Sequence, residues 1–273
     1  MLSDGVLGKS VEYPDQLDRG LLFPIPRFEK RQELGIDENA LPFQGIDIWN
    51  AYEVSWLNAK GKPQVALAEF TFPCSSEFLI ESKSFKLYLN SFNQSRQASN
   101  DQVISIMRRD LSAACGENVW VKLSPISQQS TNRVQTLSGV LLDELDIEVD
   151  EYAYNPNLLK CSEESIQVDE VLQSHLLKSN CLVTGQPDWG SVQIAYTGSS
   201  IDRVALLKYL ISFRQHNEFH EQCVERIFCD IMHYCQPQKL SVYARYTRRG
   251  GLDINPFRSN HTATVDNIRL IRQ

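Results

Sequence analysis

Ser179–Tyr196, SNCLVTGQPDWGSVQIAY, reads as two extended stretches around one tight turn. An apolar run with Val171, Leu172, Leu176 and Leu177 leads into Cys181, and Gly185, Gln186 and Pro187 supply the turn. Beyond it Val192, Ile194 and Tyr196 alternate as a half-buried strand does. Asp188 follows the cysteine by seven residues, so a thiol and a carboxylate occupy the two shoulders of one bend. A nucleophile and a proton carrier facing a common space are what covalent catalysis requires. Taken alone, the same residues are more simply a small buried cysteine beside a turn-capping Asp.

Working outward, the same order of elements is read twice. Asp47–Leu57 and Gln64–Phe72 alternate and are parted by Lys60, Gly61 and Lys62, which predicts a hairpin. Ser82–Phe92 carries Phe85, Leu89 and Phe92 at helical spacing. A second helix starts at Asn100 as cap, shows Val103, Met107, Leu111 and Ala114 on one face, and stops at Gly116. Asn118–Ile126 and Gly139–Val149 read as strands. After the polar stretch Ser127–Asn132 and a linker-like Tyr152–Glu164, the pattern returns. Val168–Leu177 and Gly190–Gly198 are strands, and Asp202–Phe213 is a helix with Val204, Leu207 and Ile211 in phase, capped by Ser199 or Ser200. Asn217–Cys235 is a longer helix with Val224, Ile227, Phe228, Ile231 and Cys235 inside, and Leu240–Thr247 and Thr262–Ile271 close the set. The expected class is α+β: two tandem units, each an antiparallel sheet backed by two helices. The expected divisions are an extended lead segment 1–40, an N-terminal unit 41–160 and a C-terminal unit 161–273.

Composition narrows the function classes. The chain has 273 residues, 42% of them hydrophobic and 22% charged, which suits a globular protein with a sizeable core. No window approaches the roughly 18 apolar residues of a membrane span, and MLSDGVLGKSVEYPDQ is not a secretory signal. The seven cysteines (Cys74, Cys115, Cys161, Cys181, Cys223, Cys229 and Cys235) are odd in number, and no two form a CxxC pair. Reduced thiols in a cytoplasmic protein are expected, with neither a disulfide framework nor a zinc finger. A net charge of −7 argues against a broad nucleic-acid surface. No HExxH, Walker A or GxGxxG sequence is present, so neither a metal nor a Rossmann-type dinucleotide site is indicated.

Three further clusters carry chemistry. Glu81–Tyr88, ESKSFKLY, opens a helix with an acid where backbone N–H groups are open to an acceptor. It is also an ordinary helix start with Lys83 and Lys86 solvated. Phe219, His220 and Glu221 begin the long helix of the second unit, and a carboxylate there suits the adjacent N–H donors of a guanine-like edge. Arg245, Arg248, Arg249, Gly250 and Gly251 suit phosphate oxygens, because a guanidinium fork binds them bidentately and glycine lets the backbone approach. A charged hairpin loop reads the same way.

Together these motifs resemble the NADPH-dependent 7-cyano-7-deazaguanine reductases, the nitrile reductases of queuosine biosynthesis, in their long tandem form. ESKSFKLY at 81–88 matches the family signature at every position. SNCLVTGQPDWGSV at 179–192, FHE at 219–221 and RYTRRGGLDINPFRSN at 245–260 are equally specific. The likeness is thin in 1–20 and 127–165. It implies two tunnelling-fold units that bind purine- or pterin-type rings, and a homodimer without direct nucleic-acid or membrane partners. It implies Cys181 as the nucleophile forming a thioimide and Asp188 as the proton donor. Ile80, Glu81, Ser82, His220 and Glu221 would bind the deazaguanine. Ser82, Lys83, Arg249 and Gly250 would bind NADPH, two being consumed per aminomethyl group and no metal being used. The shared bend further predicts a hydrogen bond between Asp188 and the Cys181 thiol. Two other readings use the same residue types: a nitrilase-like hydrolase built on Glu81, Lys83 and Cys181, and a non-catalytic purine- or pterin-binding module or tRNA accessory protein.

Overall fold

The computed structural model describes residues 16–127, 134–164 and 166–273. The first fifteen residues of the lead segment and most of the polar stretch Ser127–Asn132 lie outside these. Fourteen strands follow along the chain: β1 (Pro24–Pro26), β2 (Gln44–Asn58), β3 (Pro63–Pro73), β4 (Phe78–Ile80), β5 (Arg96–Gln97), β6 (Trp120–Pro125), β7 (Val134–Gln135), β8 (Val140–Leu141), β9 (Gln167–Ser174), β10 (Lys178–Asn180), β11 (Pro187–Ser199), β12 (Lys239–Tyr246), β13 (Leu252–Ser259) and β14 (Arg269–Leu270). Five helices join them: α1 (Phe28–Glu33), α2 (Ser82–Asn90), α3 (Asn100–Cys115), α4 (Arg203–Ser212) and α5 (His220–Tyr234). The class is α+β, and most strand pairs are antiparallel. The parallel pairs are short: β5 on β2, β8 on β9 and β14 on β7. Among the described residues no helix is long and apolar enough to cross a membrane.

Two compact units interleave along the chain. The first comprises the described parts of Met1–Lys30, Asp47–Arg133 and Arg248–Asp253; the second comprises those of Arg31–Ile46, Val134–Thr247 and Ile254–Gln273. The stretch Tyr152–Glu164, with one 3-10 turn at Pro156–Leu158, lies inside the second unit.

In the first unit the strand order is β6-β3-β2. Ala66, Ala68, Phe70 and Phe72 are buried at alternate positions of β3, which is the one-sided burial that period-two patterning predicts. Helix α2 sets Phe85 edge-on to Trp49 and Phe70, with ring centroids 5.0 Å away in each case. Such perpendicular contacts add to area burial because ring edges carry the opposite partial charge to ring faces. Val103, Met107 and Leu111 of α3 are fully buried, as their spacing predicts. The cap is Ser99, one residue before the expected Asn100, because its hydroxyl accepts from Gln102 N. Gly116 ends the helix at φ +84°, a conformation costly for any residue with a Cβ.

In the second unit the order is β13-β12-β11-β9-β8, with β10 on the other end of β11. Helix α5 packs on β12 through Val224, Ile227, Phe228 and Ile231, all without solvent exposure. Its polar side is buried too. Glu225 accepts from Arg31 Nη2 at 2.8 Å and from Arg258 Nη2 at 2.8 Å, so one carboxylate neutralises part of two buried guanidiniums. Gly45 lies so close to Phe257 O that a Cβ there would sit 2.0 Å from it, which leaves glycine the only residue that fits.

Three expectations need correction. Helix α4 is capped by Asp202, which accepts from Val204 N and Ala205 N, not by Ser199 or Ser200; Val204 consequently faces solvent while Leu206 and Leu210 are buried. The run Gly139–Val149 forms only the two-residue β8, because Asp143 turns the chain by accepting from Ser174 Oγ and His175 N. The closing strand is Leu252–Ser259 and not Thr262–Ile271. Ser259 Oγ accepts from His261 N and Thr262 N and so breaks the ladder there, and only Arg269–Leu270 is extended later.

Replacement of Phe85 by Ala removes a ring buried against three aromatics and should cost about 3–5 kcal/mol, read as a lowered denaturant midpoint. Trp120→Ala, at a residue 53% exposed, should shift the midpoint by no more than about 0.5 kcal/mol.

Candidate active site

The hairpin read from the sequence forms as expected. Strand β10 pairs antiparallel with β11 in the register Lys178↔Trp189, Ser179↔Asp188 and Asn180↔Pro187. One step further Cys181 N–H donates to Gln186 O at 2.9 Å, and Gly185 N–H donates to Cys181 O at 2.9 Å, closing the bend. Ser179 and Asp188 stand opposite one another on one face of the hairpin, and β10 ends at Asn180, one residue before Cys181. The thiol is half-buried, whereas Asp188 is almost fully buried.

Helix α5 supplies the next group. His220 occupies its first position and brings Nε2 to 3.6 Å from Asp188 Oδ1, just beyond hydrogen-bond length. The other side of the imidazole meets the Tyr246 ring at a centroid distance of 4.0 Å. Tyr246 sits opposite Gly190 in the β11–β12 ladder, and a Cβ on that glycine would press on the tyrosine ring at 3.2 Å. The missing side chain therefore makes room for the ring that backs His220. Glu221, next along, is buried in the same first turn. Burial and the charge of Glu218 push the neighbouring Cys223 thiol up to about 12, so it is held protonated. Cys161 is half-buried with its Sγ 3.6 Å from Cys235 O.

In the first unit, Glu81 caps α2 with its own side chain: Oε1 accepts from Lys83 N at 2.8 Å and Oε2 from Ser84 N at 2.8 Å. It is 3% exposed, and an ionised carboxylate retains a second acceptor direction on each oxygen. Ile80 is buried in β4, opposite Pro24, and Ser82 and Lys83 are half-buried at the helix start. Arg249 and Gly250 lie in a tight turn in which Arg249 N–H and Leu252 O are 2.9 Å apart. Gly250 and Gly251 both have positive φ, and Lys86 Nζ reaches Arg249 O at 3.4 Å. Arg248 stacks on the Tyr52 ring at 4.2 Å. Cations around a glycine turn are a donor set suited to phosphate oxygens.

Arg245 does not join that set. It is buried in the second unit, donating to Gln273 Oε1 at 2.9 Å, Tyr243 OH at 2.7 Å and Asn267 Oδ1 at 2.8 Å. Tyr246 and Ser179 were the residues sequence reading passed over; the only signal for either was its place beside a motif residue. Among the described residues no trio of His, Cys, Asp or Glu is arranged to hold a metal ion.

One hairpin and one helix start on an α+β scaffold thus supply a half-buried thiol, a buried carboxylate and an imidazole. Two family models match the sequence: one described as nitrile reductase, 7-cyano-7-deazaguanine-reductase N-term, over residues 13–123, and one described as QueF-like protein over residues 187–265. A protein of Cupriavidus metallidurans named NADPH-dependent 7-cyano-7-deazaguanine reductase is 61% identical over 98% of this chain and 97% of its own length. Identically named proteins of Chromobacterium violaceum and Hydrogenovibrio crunogenus are 60% and 59% identical, each over 98% of this chain and 96% of its own length. The chain belongs to the 7-cyano-7-deazaguanine reductase family.

One electrostatic feature beside the hairpin is directly testable. Burial alone would raise the Glu218 carboxyl, but hydrogen bonds from His216 and Arg226, with the Arg226 charge, hold it below the usual carboxylate range. Folding thus favours its ionised form. That stabilisation is complete above about pH 4.3 and is lost as pH falls through the depressed folded value. Melting temperature should therefore drop less steeply on acidification in Glu218→Gln than in the wild type; parallel curves would contradict the assignment.

Proposed function

We propose that this chain reduces the nitrile of 7-cyano-7-deazaguanine to the aminomethyl group in queuosine biosynthesis, consuming two NADPH, through a covalent adduct on Cys181. The observation that carries this reading is the bend with Cys181 and buried Asp188 on its two shoulders and His220 at 3.6 Å from the acid. Family membership supplies the substrate class.

The chemistry follows from the residue types. A nitrile is a poor hydride acceptor, while a thioimide protonated on nitrogen is a good one. Asp188 takes the thiol proton as the Cys181 sulfur bonds to the nitrile carbon, and passes that proton to the nitrile nitrogen, giving the thioimide. His220, backed by Tyr246, holds the acid's orientation and shields it from water. Reduction of the thioimide gives a tetrahedral carbon; the C–S bond then breaks, the sulfur leaves, and an imine remains for the second reduction. NADPH supplies the two hydrides. Ser82, Lys83, Arg249 and Gly250 would hold its phosphates, a role supported by the cation-rich glycine turn. Glu221 and His220, with Glu81 and the backbone at Ile80 and Ser82, would bind the amide and amine edge of the base. Glu81 can do so while capping α2, through its second acceptor directions.

The same family likeness leads us to read the chain as two tandem tunnelling-fold units at 41–160 and 161–273, after a lead segment 1–40, in a cytoplasmic homodimer; the compact units of the fold divide the chain differently, with 134–160 in the second. Support for the tandem reading is the helix pair in each unit and the separate family match to each half.

The test is a mass measurement after incubation with the cyano base and no NADPH. One stoichiometric adduct on the Cys181 peptide is expected, absent in Cys181→Ala, which should retain base binding. Asp188→Asn should slow turnover by roughly 10²–10⁴-fold, as loss of a general acid does. Production of a carboxylic acid without loss of reduced-nicotinamide absorbance would assign the site to a hydrolase. Binding without adduct or turnover would leave a ligand-binding module.

A further inference from the structure

The hairpin that carries Cys181 is held from one side by residues that take no part in the chemistry above. Asn180, immediately before the cysteine, donates its backbone N–H to His216 O at 2.8 Å and accepts at its carbonyl from Glu218 N–H at 3.0 Å. These two bonds form a parallel bridge to Asn217 in a segment with only one 3-10 turn of its own, Phe213–Gln215. Such a segment holds its shape only if its side chains are anchored. The anchor is Glu218. Its carboxylate is 2% exposed and accepts from Arg226 Nη2 at 2.7 Å, Arg226 Nε at 2.9 Å and His216 Nε2 at 3.0 Å. Arg226 lies in α5 and stacks on the Tyr154 ring at 5.0 Å, so the fork is itself immobilised.

We propose that Glu218 is a positioning residue: its carboxylate fixes the sulfur of Cys181 relative to Asp188 and His220 by locking the 216–218 segment to α5. The inference rests on the reading of Cys181 as the nucleophile. The geometry explains why an acid is needed. A bidentate pair with Arg226 fixes both distance and plane, and the His216 bond fixes the residue whose carbonyl receives Asn180 N–H. An amide at 218 keeps the shape but exchanges one acceptor for a donor facing a guanidinium. The bridge to Asn180 then slackens, while the first turn of α5, with His220 and Glu221, stays helical.

The experiment measures, without NADPH, the rate of adduct formation on Cys181 by intact mass and the dissociation constant of the cyano base by calorimetry. Glu218→Gln should form the adduct about tenfold to a hundredfold more slowly, the scale of a small misplacement of reacting atoms, with base affinity within about threefold of wild type. Arg226→Lys, which keeps the charge but loses the fork, should fall between the two. Tyr209→Phe removes a hydroxyl that donates to Asp230 at 2.5 Å in the same helix packing, and serves as the control for general destabilisation. If Glu218→Gln does not fold, Arg226→Lys against Tyr209→Phe carries the same comparison. A wild-type adduct with equal rates in Glu218→Gln and Tyr209→Phe overturns the positioning role alone. A wild-type protein that forms no adduct on Cys181 overturns the nucleophile reading and this inference with it.

Discussion

Two backbone hydrogen bonds at Asn180 decide where a sulfur atom stands. Without them β10 is three residues of edge strand at the lip of a bend, and an edge of that length has little stability of its own. With them, the hairpin is gripped on both sides: by β11 through the Ser179↔Asp188 register, and by the 216–218 segment through Asn180. Lys178 adds a third tie, its ammonium donating to Arg214 O at 2.6 Å. The thiol, the acid and the imidazole inherit their relative positions from these contacts. The proposed role of Cys181 as nucleophile makes such bracing matter, because misplacement by about an ångström can cost about 10²-fold in rate.

The second unit buries an unusual set of carboxylates, and each is handled differently. Glu225 is neutralised by two arginines and Glu218 by one arginine and a histidine, so both are structural anions with satisfied oxygens. Asp188 has the His220 imidazole at 3.6 Å. In the proposed mechanism, environment separates the Glu218 anchor from the Asp188 proton donor.

The two helix starts make the same point in another way. Glu81 closes α2 by accepting from two backbone N–H groups, whereas α5 begins at Phe219 with no side-chain cap and carries its acid one residue inside. Both motifs, ESK and FHE, look alike as an acid in a first turn. Glu81 caps its own helix, and Glu221 is buried in the first turn of α5.

Much of the scaffold was legible because one-sided burial writes itself into alternation and helical spacing: β2, β3, α3 and α5 lie where their apolar residues predict. The misreadings have physical causes. Leu252–Ser259 hid as a strand because Asp253, Asn255 and Arg258 are polar yet buried; Asp253 accepts from Asn50 and Tyr52, and Arg258 pairs with Glu225, partners far away in sequence. Gly139–Val149 and Thr262–Ile271 alternate well but are turned aside by Asp143 and Ser259. The sequence by itself determined the Cys181–Asp188 bend, since a turn and its register depend on near neighbours. Only the tertiary structure decided that His220 would meet that acid, that Tyr246 would back the imidazole, and that Arg245 would be buried away from the glycine turn. Those contacts depend on how helices and strands pack, and packing is set by the whole unit and not by any one stretch.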